Sequence, residues 1–220
     1  GGHTEITVGL NRPIVCGTML GEVARERLLT KRGAQPGDAV LLVRAVPIEG
    51  TALIALERAD VLAARGYTPE FIARCQRFLH EPGISVVAPA LPAAELPGVH
   101  AMHDPTEGGV LSGLLEIARA GGTGMAVNLD AIPILPESAT LCREFGLDPL
   151  GTIASGAILL IVAEPHAAAA RAALCAAGYP TAVIGRLTPP DTGLVALRDG
   201  APVAWPVFAV DEITKVFRDE

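Results

Sequence analysis

The stretch with the most chemistry is His100-Ala101-Met102-His103-Asp104-Pro105-Thr106-Glu107-Gly108-Gly109, which leads from a strand-like segment into a helical one. A helix start exposes unpaired backbone N–H groups and a partial positive charge, so a phosphate can dock there. Gly108 and Gly109 leave room for close approach, and Thr106 offers a hydroxyl. Asp104 offers a carboxylate, which suits an oxygen-seeking ion such as Mg²⁺. The same residues also form a capping box, with Asp104 as N-cap, Pro105 at N1 and Glu107 at N3. Spacing alone allows both readings. Two glycines in a first helical turn are costly without a reason, which leans toward a ligand.

Two further segments could meet an anion. Gly1-Gly2-His3-Thr4 precedes a strand-like stretch, where glycines allow backbone approach and His3 and Thr4 could hydrogen-bond; an ordinary loop has the same composition. Asp148-Pro149-Leu150-Gly151-Thr152-Ile153-Ala154-Ser155-Gly156 ends in a Ser155-Gly156 turn before an apolar strand, and amides at such a turn can bind an anion. Gly122-Thr123-Gly124 follows a helix and precedes a strand, the reverse of a nucleotide fingerprint. His80, His100 and His166 lack spaced partners and read as surface or boundary histidines.

The elements that must position these residues follow from periodicity. The chain has 220 residues, 50% of them hydrophobic, enough for one sizeable α/β core. Alternation predicts strands over 3–8 and 13–20, with a turn at Asn11-Arg12-Pro13. Short apolar runs predict strands over 39–43, 84–87, 99–102, 124–129, 157–162, 181–187 and 194–197. Helical spacing predicts helices over 50–65, 69–79, 107–120, 137–145 and 165–176. The beat is irregular, so the expectation is an α/β (α+β) mixed sheet with helices mainly on one face, not a doubly wound Rossmann domain.

Composition limits the partners. A formal net charge of −7 argues against nucleic acid or an anionic membrane surface. An acidic chain that binds a nucleotide needs helix starts and a divalent cation to meet the phosphates. No run of about 18 apolar residues suggests a membrane span. Cys16, Cys75, Cys142 and Cys175 lie far apart with no CxxC pair, which reads as free buried thiols in a reducing, cytoplasmic setting.

Taken in order, several segments resemble the PurM/HypE/SelD/ThiL superfamily of AIR synthase-related proteins. Gly1-Gly2-His3-Thr4 is similar to the GGHT or GGDT loop that ends the N-terminal domain of that family. Gly33-Ala34-Gln35-Pro36-Gly37-Asp38 resembles its GAKPGD turn, and Glu81-Pro82-Gly83-Ile84-Ser85-Val86 its PGISV segment. Met102-His103-Asp104-Pro105-Thr106-Glu107-Gly108-Gly109 looks like the MRDPTRGG of HypE members, and Gly146-Leu147-Asp148-Pro149-Leu150 like their GLDPL. The resemblance spans nearly the whole chain and is nearest to HypE-like members.

The resemblance implies a PurM C-terminal-domain-like fold over 23–220, with 1–22 a remnant of an N-terminal barrel-forming domain. Gly1 in place of Met fits a C-terminal half parted from that domain. It implies ATP and Mg²⁺ in a cleft between the two domains, a homodimer of the complete protein, and phosphorylation or activation of a small substrate. Asp104 would be this half's metal-binding acid, and His3 would join it as a catalytic residue. Gly1, Gly2, Thr4, Thr106, Gly108, Gly109, Ser155 and Gly156 would face the nucleotide. The isolated chain is expected to be inactive. His103 and Glu107 stand where HypE members carry basic residues, and Val216-Phe217-Arg218-Asp219-Glu220 lacks their terminal cysteine, which points to another substrate. The alternative is a non-catalytic nucleotide-sensing or dimerising module of the same fold.

Overall fold

Two five-residue stretches, AVLLV and ILLIV, govern the architecture because neither can leave a face to water. They form strands β1 (Ala39–Val43) and β4 (Ile158–Val162), which pair antiparallel and are buried at every position. In the computed structural model, which describes residues 9, 14, 16–18 and 20–217, they lie inside a seven-stranded sheet. The other strands are β2 (Val99–His103), β3 (Gly124–Asn128), β5 (Thr181–Thr188), β6 (Leu194–Arg198) and β7 (Ala201–Val203). The order is β2-β4-β1-β5-β3-β6-β7, antiparallel throughout except for the parallel pair β3–β6. The mixed α/β sheet expected from the sequence is therefore present.

The two faces alternate residue by residue, as the strand period requires. Val40, Leu42, Leu159 and Ile161 point to one core, where helix α5 (Gly109–Gly121) supplies Val110, Leu111, Leu114 and Ile117. Leu41, Val43, Leu160 and Val162 point to the other, covered by Ala167, Ala170 and Leu174 of helix α7 (Glu164–Ala176) and Ala93 of helix α4 (Val87–Ala94). Helix α5 thus covers one face of the sheet, and α4 and α7 the other. Strands that are apolar at successive positions need a cover on both sides.

A third apolar cluster joins helices α1 (Ile48–Glu57), α2 (Ala59–Ala64), α3 (Pro69–Gln76) and α6 (Pro136–Glu144). A 3₁₀ turn over Glu212–Phe217 contributes Ile213 and Val216 to it. Cys75 and Cys142 are buried in this cluster, and burial pushes their thiols up to about 11 and about 12, so neither is a reactive thiolate. Cys16 and Cys175 are exposed, unlike the buried thiols expected.

Several element boundaries differ from expectation for identifiable reasons. The helix expected over 50–65 starts at Ile48 and is interrupted at Arg58, whose guanidinium leaves to donate to the Val216 carbonyl. No strand forms over 84–87. The Gly83 and Ser85 carbonyls accept from Arg44, so they are not available to a sheet neighbour, and the chain enters α4 instead. The strand over 3–8, the Asn11-Arg12-Pro13 turn and Gly1, Gly2, His3 and Thr4 lie outside the described residues, and of 13–20 the described ones are not in a strand.

Because Leu160 is fully buried, Leu160→Ala should cost about 2–5 kcal/mol. Val183 on the same sheet is 44% exposed, and Val183→Ala should stay within about 1 kcal/mol. Urea midpoints of the two variants check this; equal losses would contradict the described burial.

Candidate functional site

Strand β2 delivers His103 to the end of the sheet, and residues 104–108 turn the chain into α5. The helix begins at Gly109 rather than at Glu107, and its N-cap is Gly108, with no side-chain cap. The capping-box reading of Asp104 is therefore corrected. Its side chain is 64% exposed, takes no backbone amide, and lies 3.7 Å from His103 Nδ1. Thr106 Oγ1 donates to the Asp104 carbonyl, which shapes the turn without using the carboxylate. An exposed carboxylate with no hydrogen bond among the described residues fits one ligand position of a hard cation. The described residues hold no group of three or more metal-ligating side chains, so further ligands would have to come from outside them.

The glycines here answer a backbone demand. Gly108 and Gly109 have φ of 76° and 69°, and a Cβ on Gly109 would lie 2.4 Å from the Leu150 carbonyl oxygen. The helix-start amides are also engaged within the protein. Gly108 N–H donates to Asp211 Oδ2 at 2.6 Å, Gly109 N–H to the Thr106 carbonyl and Leu111 N–H to the Leu150 carbonyl. A phosphate arriving at this helix start would meet a carboxylate already seated on Gly108.

The second loop lies directly alongside. Ala154 N–H donates to the Thr106 carbonyl at 3.2 Å, so the Thr106 and Ser155 segments are neighbours. Ile153 N–H donates to Asp211 Oδ1, and Asp148 N–H to Glu212 Oε2. Gly156 turns inward with φ of 105°; a Cβ there would lie 2.8 Å from the Gly83 carbonyl oxygen. Of the residues singled out in the sequence, Asp104, Thr106, Gly108, Gly109, Ser155 and Gly156 come together around these two loops, while Gly1, Gly2, His3 and Thr4 lie outside the described residues.

Three residues that organise the loops escaped the sequence reading. Arg44, with φ of 67°, donates from Nη1 to the carbonyls of Gly83, Ser85 and Gly156, and its guanidinium lies 5.9 Å from the Tyr179 ring centre. Burial lowers its pKa. Asp211 and Glu212 are the other two. The available signal was a lone charge directly after the apolar run Ala39–Val43, and an acidic pair flanked by Val210 and Ile213.

Histidines are better partnered than their spacing suggested. His100 Nδ1 meets the buried Asp38 carboxylate at 2.9 Å. His103, with its side chain 14% exposed, places Nε2 2.9 Å from Glu116 Oε2, which also accepts from Lys31 Nζ at 3.0 Å. Burial is the main cause that lowers the His103 pKa, and the Lys31 charge adds to it. The Lys31 hydrogen bond is the main cause that lowers the Glu116 carboxyl. The sign follows: a histidine whose folded pKa is depressed is neutral near pH 7 and costs stability as pH falls through its unfolded value. In a histidine NMR titration His103 should titrate below a free histidine. Lys31→Ala should move its midpoint up, and Glu116→Gln should move it down. A Lys31→Ala midpoint that falls would contradict the described cluster.

A groove of about 630 Å³ lies elsewhere. It is lined by Leu129, Asp130, Arg198 and Lys215 and meets the first site only through the 146–150 segment and Glu212. Chemistry distinguishes the two places: the loops carrying Asp104 and Ser155 bring a carboxylate, hydroxyls and glycine turns together.

Comparison with known proteins bears on this choice. Residues 35–196 match the family model of the AIR synthase related protein, C-terminal domain. The chain is 33% identical over 184 residues to a carbamoyl dehydratase HypE of Rhodobacter capsulatus, covering 81% of this chain and 50% of that protein. It is 31% identical over 220 residues to a selenide, water dikinase of Burkholderia pseudomallei, covering 100% and 54%. The crystal structure of the hydrogenase maturation protein HypE in complex with ATP superposes with a TM-score of 0.63 at 21% identity, covering 89% of this chain and 57% of that one. At that identity the likeness concerns the fold. The chain spans about half the length of the curated relatives it matches. The match over 35–196, together with the sheet order and the sequence identities, makes this chain a member of the AIR synthase-related family, in the part that forms its C-terminal domain.

Proposed function

We propose that the chain is the C-terminal half of an ATP- and Mg²⁺-dependent enzyme that phosphorylates or activates a small substrate. The observation that carries the reading is the exposed, unbonded Asp104 carboxylate beside the Thr106 and Ser155 loops, in a chain whose relatives include a dikinase. The ATP complex of the HypE structure supports the choice of nucleotide. The remaining ligands and the phosphate-facing loop would come from an N-terminal half of the kind that makes up the rest of each relative. A homodimer and a cytoplasmic setting complete the proposal; no helix among the described residues is long and apolar enough to cross a membrane.

Mg²⁺, when bound, would neutralise phosphate charge and polarise the transferred phosphoryl group. The chain's own residues then divide the work. Asp104 presents an oxygen ligand to the ion. The Ser155 hydroxyl would donate to a phosphate oxygen, and the Thr106 hydroxyl, which donates to the Asp104 carbonyl, would hold the Asp104 turn beside it. The Ala154–Thr106 bond keeps the two segments adjacent. Gly108 and Gly109 hold the turn open in a left-handed backbone rather than donating to the nucleotide, since the Gly108 amide is engaged by Asp211. His3 would lie across the cleft with Gly1, Gly2 and Thr4. Positioning from several sides is what such a reaction needs, so the 220-residue chain alone should show no ATP turnover.

Asp104→Asn separates ligation from structure, because the exposed side chain accepts no hydrogen bond among the described residues. In the protein with both halves, this variant should keep its melting temperature within about 2 °C. Its Mg-ATP affinity by calorimetry should fall about ten-fold or more. Unchanged affinity would remove Asp104 from the site. A wild-type protein that binds Mg-ATP without turning over any substrate would instead support the nucleotide-sensing module.

A further inference from the structure

We propose that Asp211 is a positioning residue: its one carboxylate fixes the Thr106 loop and the Ser155 loop relative to each other. This rests on the functional reading above only for its consequence, not for its geometry. Oδ2 accepts from Gly108 N–H at 2.6 Å, at the end of the turn that carries Asp104 and Thr106. Oδ1 accepts from Ile153 N–H at 3.2 Å, two residues before Ser155, and from Ile213 N–H at 2.8 Å. Two loops far apart in sequence thus share a single rigid planar group. Charge-assisted bonds to backbone amides are short and directional, so the group fixes distance as well as contact.

The carboxylate is itself anchored from both sides. Upstream, Trp205 and Phe208 pack against the sheet core, and Phe208 lies on Gly151 so closely that a Cβ there would come 2.5 Å from its ring. Downstream, Ile213 and Val216 are buried in the helical cluster, and Arg58 donates to the Val216 carbonyl. Glu212, 7% exposed, donates its N–H to the Gly151 carbonyl and accepts from Asp148 N–H and Lys215 Nζ. Residues 205–217 therefore run as a strap from the sheet to the helical cluster, and Asp211 is the point where the strap meets both loops. No other side chain hydrogen-bonds backbone of both loops among the described residues; the direct backbone links between the two segments are Ala154 N–H to the Thr106 carbonyl and Leu111 N–H to the Leu150 carbonyl.

The test uses the ¹⁵N-labelled chain and two variants. Asp211→Asn keeps one acceptor oxygen for the Ile153 and Ile213 amides but turns an NH₂ toward Gly108; Asp211→Ala removes every acceptor. In the wild type the Gly108 amide should exchange slowly although it precedes the helix. In Asp211→Asn its exchange should accelerate about ten-fold or more, the value for loss of one charge-assisted bond. Resonances of both Thr106 and Ser155 should shift, and the melting temperature should fall by about 2–10 °C. Fast Gly108 exchange in the wild type would overturn the proposal without any variant. So would a variant that melts lower yet leaves the Thr106 and Ser155 resonances in place, the result expected of a mere anchor. In the protein with both halves, Asp211→Asn should weaken Mg-ATP about ten-fold, the effect of displaced ligating groups. If the wild type binds no Mg-ATP, the functional reading fails while the exchange and resonance results still decide the role of Asp211.

Discussion

Loops that carry chemistry have no helix or sheet ladder to occupy their peptide groups, and a buried peptide group left unpaired costs about 1–3 kcal/mol. In this domain two charged side chains meet that demand at opposite ends of the same segment. Arg44 collects carbonyls of Gly83, Ser85 and Gly156; Asp211 collects amides of Gly108, Ile153 and Ile213. Each can do so because its charge is delocalised over a planar group with several donor or acceptor positions. The sheet places both: Arg44 directly follows β1, and the strap carrying Asp211 follows β7. The rigid core thereby sets the shape of the irregular part.

The electrostatics of the site follow from the same arrangement. Asp104, Glu107 and Asp211 lie beside the start of α5, Glu116 further along the helix meets His103 next to Asp104, and Lys31 is the cation that reaches this group, through Glu116. No Lys or Arg side chain bonds to Asp104, Thr106 or Ser155 among the described residues. A polyphosphate approaching such a surface is repelled unless a divalent cation intervenes. The acidic surroundings of Asp104 therefore favour a metal-bound nucleotide over a bare anion. On the proposed reading, Asp104 is the residue that would meet the requirement for a cation suggested by the acidic composition.

Much of the fold was legible because its signals are local. Ala39–Val43 and Ile158–Val162 are apolar throughout, and Val110, Leu111, Leu114 and Ile117 recur at helical spacing. Where the sequence misled, a long-range contact had overridden a local one. The run over 84–87 is not a strand because Arg44 captures the Gly83 and Ser85 carbonyls, and the helix expected from Glu107 starts only at Gly109, after Gly108 and Gly109 make a left-handed turn against Leu150. Asp104, Thr106 and Ser155 were singled out through motif and resemblance, and the structure brings their loops together. Arg44 and Asp211 could not be found that way, since their partners are backbone groups, which every residue offers alike.

The central claim is that the loops of Asp104, Thr106 and Ser155, and not the groove at Leu129, Asp130, Arg198 and Lys215, face the nucleotide. Hydrogen–deuterium exchange on the protein with both halves, with and without Mg-ATP, tests it most directly. The account predicts protection confined within this domain to peptides covering residues 103–109 and 152–156. Protection that instead falls on the groove residues Leu129, Asp130, Arg198 and Lys215, with the two loops unchanged, would contradict it.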